Sequence, residues 1–528
     1  MAKRPSVMRH QFSQIPRAEI QRSSFDRNCA HKTTMDVGYL VPFFCDEALP
    51  GDTFNLRSTV FGRLATPLHP IMDNMSLDTF FFAVPMRLIW DNWEKFNGAQ
   101  DNPADSTDFI EPTMTSPVGG YTEHSLSDYM GIPTKVAGLV HRSAWHRAYN
   151  LIWNEWFRDQ NLQDSVVVDK DDGPDTPSDY VLLKRGKRHD YFTSCLPWPQ
   201  KGPAIELPLG TTAPVHGIGR TSNVWGGAQA GIYETGGTTT TTYAGSQPIH
   251  ATAGEFYVEE DPDNAGYPGI FADLSGATAA TINQLRQAFQ IQRLYERDAR
   301  GGTRYTEIVR SHFGVVSPDA RLQRPEYLGG GTTPIMVNPI AQTSSTDATT
   351  PQGNLAAFGV VSAHGHGFTK GFTEHCVILG LVMVRADLHY QQGLNRMFTR
   401  STRWDHYWPA LAHIGEQAVL SREIFADGSA NDDDVFGYQE RYAEYRYKPS
   451  LVTGQMRSNA ATPLDTWHLA QDFATRPVLN ASFIEEDPPV DRVIAVPSEP
   501  HLLLDAFFHL RCARPMPLHS VPGLIDHF

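Results

Sequence analysis

The stretch from residue 77 to residue 84 (LDTFFFAV) predicts a β-strand without a polar face, because bulky side chains fall on both sides of the pleat. Pro85 ends this strand, since it has no N–H for the next ladder position. Apolar residues then recur at helical spacing and predict a helix over residues 86–97, with Gly98 at its end. A strand that is apolar on both faces must be covered on both, either by its own chain or by other copies of it.

Two further segments show the alternation of a half-buried strand. Residues 54–64 and 502–512 place apolar or small side chains at every second position, and the opposite positions hold residues such as Arg57 and Arg511. Residues 376–384 (CVILGLVMV) predict another strand with little polar character. If these N-terminal and C-terminal strands share one sheet system, they pair across most of the chain, as in Greek-key and jelly-roll sandwiches.

Three segments between these strands predict helices. Residues 143–157 carry one stripe of aromatic and aliphatic side chains. Thr281 and Gln284 form a capping-box pattern ahead of a second helix. Residues 303–313 repeat apolar side chains at helical spacing, and Gly314 follows as a stop signal.

The segment 202–273 has a different composition from the rest of the chain. It contains 13 Gly, 10 Thr and eight acidic residues, against the single basic residue Arg220. A segment with so little apolar content cannot form a core, so it predicts a long, acidic excursion on an exposed surface.

The charge of the chain is negative overall but unevenly placed. A net charge of −15 argues against a general nucleic-acid binder. Residues 1–32 nevertheless carry seven basic side chains against Glu19 and Asp26. A basic arm on an acidic body can contact phosphate, although an ordinary frayed terminus has the same pattern. The basic residues of this arm are Lys3, Arg4, Arg9, Arg17, Arg22, Arg27 and Lys32.

The sequence lacks the signals of a membrane protein or a disulfide scaffold. No window is apolar enough for a transmembrane helix, and the N-terminus lacks the apolar stretch of a secretory signal. The five cysteines are odd in number, far apart and never in a C-x-x-C pattern. We therefore expect neither a disulfide framework nor a zinc site, and we expect folding in a reducing cytosol.

Candidate chemistry is sparse. The segment HGHGFTKG (residues 364–371), with Glu374 and His375, could ligate a metal, but a polar turn before the strand at residue 376 explains it better. Residues 427–434 resemble a calcium loop, yet the sixth position is Asp432 rather than Gly. A solvated acidic turn is the simpler interpretation. We therefore expect no metal, no cofactor and no catalytic residue.

The absence of a nucleophile elbow, a metalloprotease motif or a buried carboxylate pair favours a structural role. The tyrosine run at positions 438, 442, 445 and 447 could stack on bases or sugars, but it is more typical of a core or an interface.

Long motifs in this chain closely resemble the major capsid proteins of gokushoviruses, small icosahedral single-stranded-DNA phages of the microvirus family. The resemblance runs almost from end to end. It is carried by residues 32–56, 64–85 (LATPLHPIMDNMSLDTFFFAVP), 295–330, 384–419, 437–450 (GYQERYAEYRYKPS) and 513–528 (ARPMPLHSVPGLIDHF).

The resemblance implies a mainly β fold, an eight-stranded viral jelly-roll sandwich with long inter-strand insertions that contain short helices. It implies roughly sixty copies in a T=1 shell around a circular single-stranded DNA genome. It also implies a virion location after assembly in the bacterial cytoplasm. The partners are further copies, the packaged DNA, a small basic DNA-binding virion protein, a minor pilot protein and a bacterial surface receptor, without membrane insertion.

These expectations give a division of the chain into four parts: a basic arm (1–32), the first part of the jelly roll with a helical insertion (33–201), a surface insertion (202–273), and a helical insertion with the remaining strands (274–528). The surface insertion is expected to form the protrusion at the three-fold axes and to serve host attachment.

Residue roles follow from the same interpretation. On the inner surface, Lys3, Arg4, Arg9 and Arg17 are expected to contact DNA. We expect subunit contacts at Trp93, Trp404, Tyr407 and Trp408, because large aromatic side chains are typical contact material.

Two other classes of function stay open at this point. A jelly-roll carbohydrate-binding protein or polysaccharide-acting enzyme would use the aromatic side chains as sugar platforms. A replication protein that binds single-stranded DNA is disfavoured by the acidic total. The mass of the purified protein would distinguish a capsid protein from these two classes, since a capsid protein sediments in large assemblies.

Overall fold

The computed structural model describes residues 21–203, 205, 282–316, 323–344, 346 and 351–519, and also the backbone of four two-residue strands between residues 215 and 272. Two compact units divide the chain. Gln200–Arg300 belongs to the smaller unit, and the other described residues belong to the larger one.

Eighteen strands are present among the described residues. In chain order they are β1 (Ser23–Asp26), β2 (Cys29–Met35), β3 (Val41–Ala48), β4 (Thr53–Leu64), β5 (Met75–Pro85), β6 (Thr113–Thr115), β7 (Val140–Arg142), β8 (Val215–His216), β9 (Ile232–Tyr233), β10 (Thr240–Thr241), β11 (Phe271–Ala272), β12 (Glu326–Pro334), β13 (Met336–Ala341), β14 (Leu355–Gly371), β15 (Cys376–Ala386), β16 (Glu416–Leu420), β17 (Val435–Glu440) and β18 (Leu502–Arg514).

The α-helices are few and mostly short. They are α1 (Trp93–Phe96), α2 (Leu126–Tyr129), α3 (Ala144–Ile152), α4 (Ile282–Gly301), α5 (Tyr305–Phe313), α6 (Ser421–Ile424) and α7 (Ala481–Ile484). None of the helices in the described part of the chain combines the length and the apolar character needed to cross a bilayer.

Two antiparallel sheets form the body of the larger unit, so the prediction of a mainly β protein is confirmed. The six-stranded sheet has the order β1-β18-β4-β14-β13, with β2 also paired to β18. The four-stranded sheet has the order β12-β5-β15-β3. β4 pairs with β18 from Leu64↔Leu502 to Thr53↔Ala513, which confirms the predicted pairing of N-terminal and C-terminal strands.

The main core lies between the inner faces of these two sheets. Every second residue of β4 and of β18 is buried there, as the alternation predicts. Phe81 of β5 packs its ring 5.6 Å from that of Phe43 on the same sheet and 5.6 Å from that of Phe368 on the six-stranded sheet. Each such fully buried side chain contributes roughly 1.5–3 kcal/mol to the free energy of folding.

The outer face of the four-stranded sheet is covered by the chain itself. Phe82 and Val84 of β5 and alternate residues of β15 pack in a second core with Tyr149 and Ile152 of α3. The Tyr149 hydroxyl donates a hydrogen bond of 2.9 Å to the Leu40 carbonyl, so α3 is also held at one end of β3. The strand without a polar face is therefore covered on both sides within one chain.

A buried ion pair holds this cover in place. Arg147 of α3 donates to both carboxylate oxygens of Asp175, at 2.7 Å for its Nε, and both side chains are buried. Its Nη1 donates to the carbonyls of Ile89 and Asp171 at 3.0 and 2.9 Å. Burial alone raises the pKa of Asp175, but the hydrogen bonds from Arg147 and Ser143 hold it below its ordinary value.

The segment after β5 differs from its prediction. β5 ends at Pro85 as expected, but the single helix over residues 86–97 is wrong. A 3₁₀ turn (Met86–Leu88) and the one-turn helix α1 replace it. The break follows from Trp90, which is buried and whose indole N–H donates to Asp172 at 2.7 Å, so the chain turns before α1 begins.

Helices are present in the other segments that were predicted to be helical. In the segment 143–157, α3 continues into one π-helical turn (Trp153–Phe157). Gly314, at φ 69°, ends α5 as expected. In the smaller unit, α4 begins at Ile282 and carries an exposed Phe289, while Thr281 of the predicted capping box lies outside the described residues.

Candidate assembly surface

A cluster of exposed aromatic side chains lies on the larger unit. We define the aromatic platform as Trp404, Tyr407, Trp408, Tyr442 and Tyr445. Four of them are 44–53% exposed, and Tyr442 is buried beneath. The Tyr407 ring lies 5.2 Å from that of Tyr442 and 6.3 Å from that of Tyr445, both edge-on. The fold therefore brings the loop with Trp404, Tyr407 and Trp408 against the tyrosine run, two segments whose proximity the sequence did not predict.

Hydrogen bonds between side chains and backbone fix the platform. Tyr442 adopts a left-handed conformation (φ 64°), and its N–H donates to Gln417 Oε1 at 3.2 Å. Its hydroxyl donates to the Trp404 carbonyl, also at 3.2 Å. The Trp408 indole N–H donates to the Arg403 carbonyl at 2.8 Å. The exposed rings are thus held in place before any partner binds.

Two arginines stack on the platform. The Arg403 guanidinium lies 4.3 Å from the ring centroid of Trp404 and 5.4 Å from that of Trp408. The Arg400 guanidinium lies 4.3 Å from the Tyr445 ring. Rigid Trp, Tyr and Arg side chains that are half exposed are the composition of interface hot spots.

Trp93, the fourth predicted contact residue, has a different environment. It is half-buried, and its ring packs 5.3 Å from His375 and 5.8 Å from Phe96, apart from the aromatic platform. The remaining predicted site residues, Lys3, Arg4, Arg9 and Arg17, lie outside the described residues. Most of the surface insertion 202–273 lies outside them as well.

The histidines considered as metal ligands take part in sheet packing. The polar turn expected at residues 364–371 is wrong, because these residues belong to β14, with a bulge between His364 and His366. His366 is hydrogen-bonded to the hydroxyls of Thr79 (2.9 Å) and Thr333 (3.1 Å), and burial lowers its pKa. Within the described ranges, no group of three His, Cys, Asp or Glu side chains is placed to hold a metal ion.

The acidic loop 427–434 is neutralised by arginines. Arg476 contacts Asp427 at 2.9 Å and Asp432 at 3.0 Å, and Arg422 pairs with Asp433. Hydrogen bonds from Ser429, followed by those from Arg476, lower the pKa of Asp427 to about 2. These carboxylates therefore have protein cations as partners, in the manner of a surface turn.

Sequence reasoning missed a second surface, the outward side of β4 and β18. Arg57, Phe61, Arg63 and Phe507 all point away from the core and are exposed. The signal was present in the alternation of both segments, but only the inner series was interpreted.

Comparison with known proteins places these surfaces in context. The family model described as capsid protein (F protein) matches residues 13–524. Capsid protein VP1 of Bdellovibrio phage phiMH2K is 51% identical, with 98% of each chain covered. Capsid protein VP1 of Chlamydia phage 1 is 45% identical over 99% of each chain, and that of Spiroplasma virus 4 is 38% identical over 98% of this chain and 97% of its own.

These relatives are gokushovirus proteins, so the resemblance seen in the sequence motifs is confirmed. All three are named as capsid proteins, which supports a structural role and leaves the enzyme alternative without support. Because the family model and the relatives span nearly the whole chain, this phage protein belongs to the capsid protein (F protein) family and assembles with copies of itself into the capsid of the virion.

Proposed function

We propose that this major capsid protein forms a T=1 shell of roughly sixty copies around a circular single-stranded DNA genome. The aromatic platform carries this proposal, because it is an exposed, pre-organised surface of the kind that subunit contacts use. The covered sheet supports it too. Since α3 buries the apolar outer face of β5 and β15, a subunit can complete its core before it meets a neighbour.

The body of the subunit is a jelly roll in this proposal. Successive strands cross between the two sheets: β3, β5 and β15 belong to the four-stranded sheet, while β4, β14 and β18 belong to the six-stranded one. Such crossing is typical of Greek-key sandwiches. We assign the eight strands to β3, β4, β5, β12, β13, β14, β15 and β18, with β1 and β2 as additions at the edge.

Trp404, Tyr407 and Trp408 contact a neighbouring copy, and Trp93 makes a second contact. The test is sedimentation of Trp404→Glu/Trp408→Glu beside the wild-type chain. We expect the wild type in shell-sized particles and the variant as small species with an unchanged circular dichroism spectrum. Val118→Glu, at an exposed apolar side chain outside the aromatic platform, is the control for the added charge. Normal shells from the platform variant would contradict this assignment.

The basic arm contacts the genome through its phosphates. Lys3, Arg4, Arg9 and Arg17 supply positive charge that the acidic body lacks, and the small basic virion protein shares this role. Reversing the charges of Arg4, Arg9 and Arg17 should reduce DNA-filled particles far more than empty shells. An unchanged ratio of filled to empty particles would assign the role to the small protein alone.

The surface insertion 202–273 forms the protrusion at the three-fold axes and binds the host receptor, while the pilot protein completes the virion. Its Gly-rich and Thr-rich, acidic composition supports an exposed position. Particles in which this segment is replaced by a short Gly/Ser linker should assemble but fail to adsorb to cells. Normal adsorption to cells would show that another surface binds the host receptor.

A further inference from the structure

The six-stranded sheet has an outer face that stays exposed along its two central strands. We define the open sheet face as Arg57, Phe61 and Arg63 of β4 together with Phe507 and His509 of β18. All five side chains are exposed, although three carry aromatic rings. A single subunit therefore presents aromatic and basic groups together on one face of the sheet.

The register of β4 and β18 interleaves these groups. Arg57 lies opposite His509, and the next outward pair is Thr59 opposite Phe507. Phe61 follows opposite Asp505, so Phe61 and Phe507 are diagonal neighbours on adjacent strands. The rings of Phe507 and His509 lie 4.7 Å apart. Each ring is thus next to a basic side chain on the same face.

The charge of this face is opposite to that of the whole chain. Arg57 and Arg63 make no ion pair with any described residue. The acidic side chain on the face, Asp505, is neutralised by Lys32 at 2.6 Å. A chain with a net charge of −15 therefore carries two arginines without an ion pair among aromatic rings, which complements a polyanion. Acidic groups are nearby, since Glu123 and Asp128 line the hollow beside Phe61 and Arg63.

We propose that the open sheet face is a binding site for single-stranded DNA, in which Arg57 and Arg63 contact phosphates while Phe61, Phe507 and His509 stack on bases. The proposal rests on the single-stranded genome of the proposed function. Basic side chains interleaved with aromatic ones are the surface on which single strands are bound without sequence preference. A second copy of the chain is the competing occupant, since aromatic and arginine side chains are also typical of subunit interfaces, and the tests below separate the two.

The position of β1 gives a second reason. This strand directly follows the basic segment 1–20 and pairs with β18 from Ser23↔Arg514 to Asp26↔Arg511. The chain therefore joins the six-stranded sheet beside the strand that carries Phe507 and His509. A strand of DNA on the open sheet face would lie next to the point at which the arm enters.

The first test uses the virion as it exists. Purified DNA-filled particles are irradiated with ultraviolet light, digested, and searched by mass spectrometry for nucleotide adducts. We expect adducts on peptides that contain Phe61 and Phe507. Adducts confined to other elements would overturn the proposed site, while particles without any single-stranded DNA would instead overturn the proposed function.

The second test separates stacking from charge. Full-length protein is titrated with a short oligothymidine and with an abasic oligonucleotide of equal length. Phe61→Leu/Phe507→Leu keeps the apolar area but should lower the affinity for oligothymidine about five-fold or more, with little change for the abasic strand. An equal loss for both probes, or no loss, would contradict base stacking.

Charge removal on the same face should act on both probes. Arg57→Ala/Arg63→Ala should weaken the binding of both oligonucleotides. It should also reduce the slope of log affinity against log salt concentration by about 1.4, the value expected for the loss of two phosphate contacts. The matched control, Lys170→Ala/Arg286→Ala, removes the same charge from exposed positions elsewhere and should leave the slope unchanged. If the Arg57/Arg63 variant instead failed to form even empty shells, the face would be a subunit contact and the proposal would be wrong.

Discussion

The two outer faces of the sandwich are built in opposite ways. On the four-stranded sheet, β5 and β15 are apolar on both sides except at one end, where Asp78 pairs with Arg385, and α3 of the same chain covers them. On the six-stranded sheet, β4 and β18 alternate, and their outward side chains stay exposed. A face without polar positions must be buried during folding, whereas an alternating face remains available to a partner.

Comparable residues on the two outer faces differ strongly in their exposure to solvent. Phe82 and Phe61 both point outward from a central strand, yet Phe82 is 1% exposed and Phe61 is 52% exposed. Each face also has an ion pair, since Arg147–Asp175 is buried and Lys32–Asp505 is exposed. The same side chains should therefore have very different effects on stability.

The largest effect is expected at the aromatic pair. Phe82→Asp places a carboxylate beneath α3 and removes a buried ring, and the ring alone accounts for about 3–5 kcal/mol. We expect no folded protein, as measured by the near-ultraviolet circular dichroism of the soluble fraction. Phe61→Asp should give a native spectrum, and a folded Phe82→Asp would show that α3 can leave the sheet.

The buried ion pair comes next. Arg147→Ala leaves Asp175 buried without its cation and should lower the free energy of unfolding by about 3–5 kcal/mol. The urea midpoint, followed by tryptophan fluorescence, measures this loss. Arg57→Ala on the open sheet face should change the free energy of unfolding by no more than about 0.5 kcal/mol. Equal effects would remove the distinction between the two faces.

Acid should act on the covered face through Asp175. Because the folded state lowers the pKa of this group below 3.8, its contribution to stability is complete above that pH. The contribution is lost as the pH falls through the folded pKa. Asp175→Asn should therefore show less loss of melting temperature below pH 3.8 than the wild type.

The smallest effect is expected at the exposed pair. Lys32→Ala should lower the free energy of unfolding by about 0.2–1 kcal/mol, because both partners are solvated and screened. High salt should reduce the difference between variant and wild type further. A loss as large as that of Arg147→Ala would mean that the open sheet face is not solvated.

Local patterns predicted the parts of the fold that depend on nearby residues. The alternation of β4 and β18 showed which side chains face the core, and the spacing up to Gly314 showed α5. The apolar faces of β5 showed that cover was required. They did not show what provides it, because the contacts of Tyr149 with Leu40 and of Arg147 with Asp175 join distant segments.

Errors arose where one tertiary contact outweighed a local signal. The spacing in residues 86–97 is helical, but the hydrogen bond from buried Trp90 to Asp172 breaks the helix. The glycines and histidines of residues 364–371 suggested a turn, but their pairing with β4 extends β14. The aromatic platform combined two predicted contact segments, and only the fold could show that Tyr407 and Tyr442 touch.

Because β18 pairs with both β2 and β4, the six-stranded sheet cannot be completed until the C-terminal part of the chain has been synthesised. Lys32 and its partner Asp505 are 473 residues apart, a distance that a ribosome covers in roughly 25–95 s. Throughout that interval β4 lacks β18, and for most of it β4 also lacks β14, its other neighbour in the sheet. A chain that terminates before β18 can never supply that strand, so it cannot complete the six-stranded sheet on which the open sheet face lies.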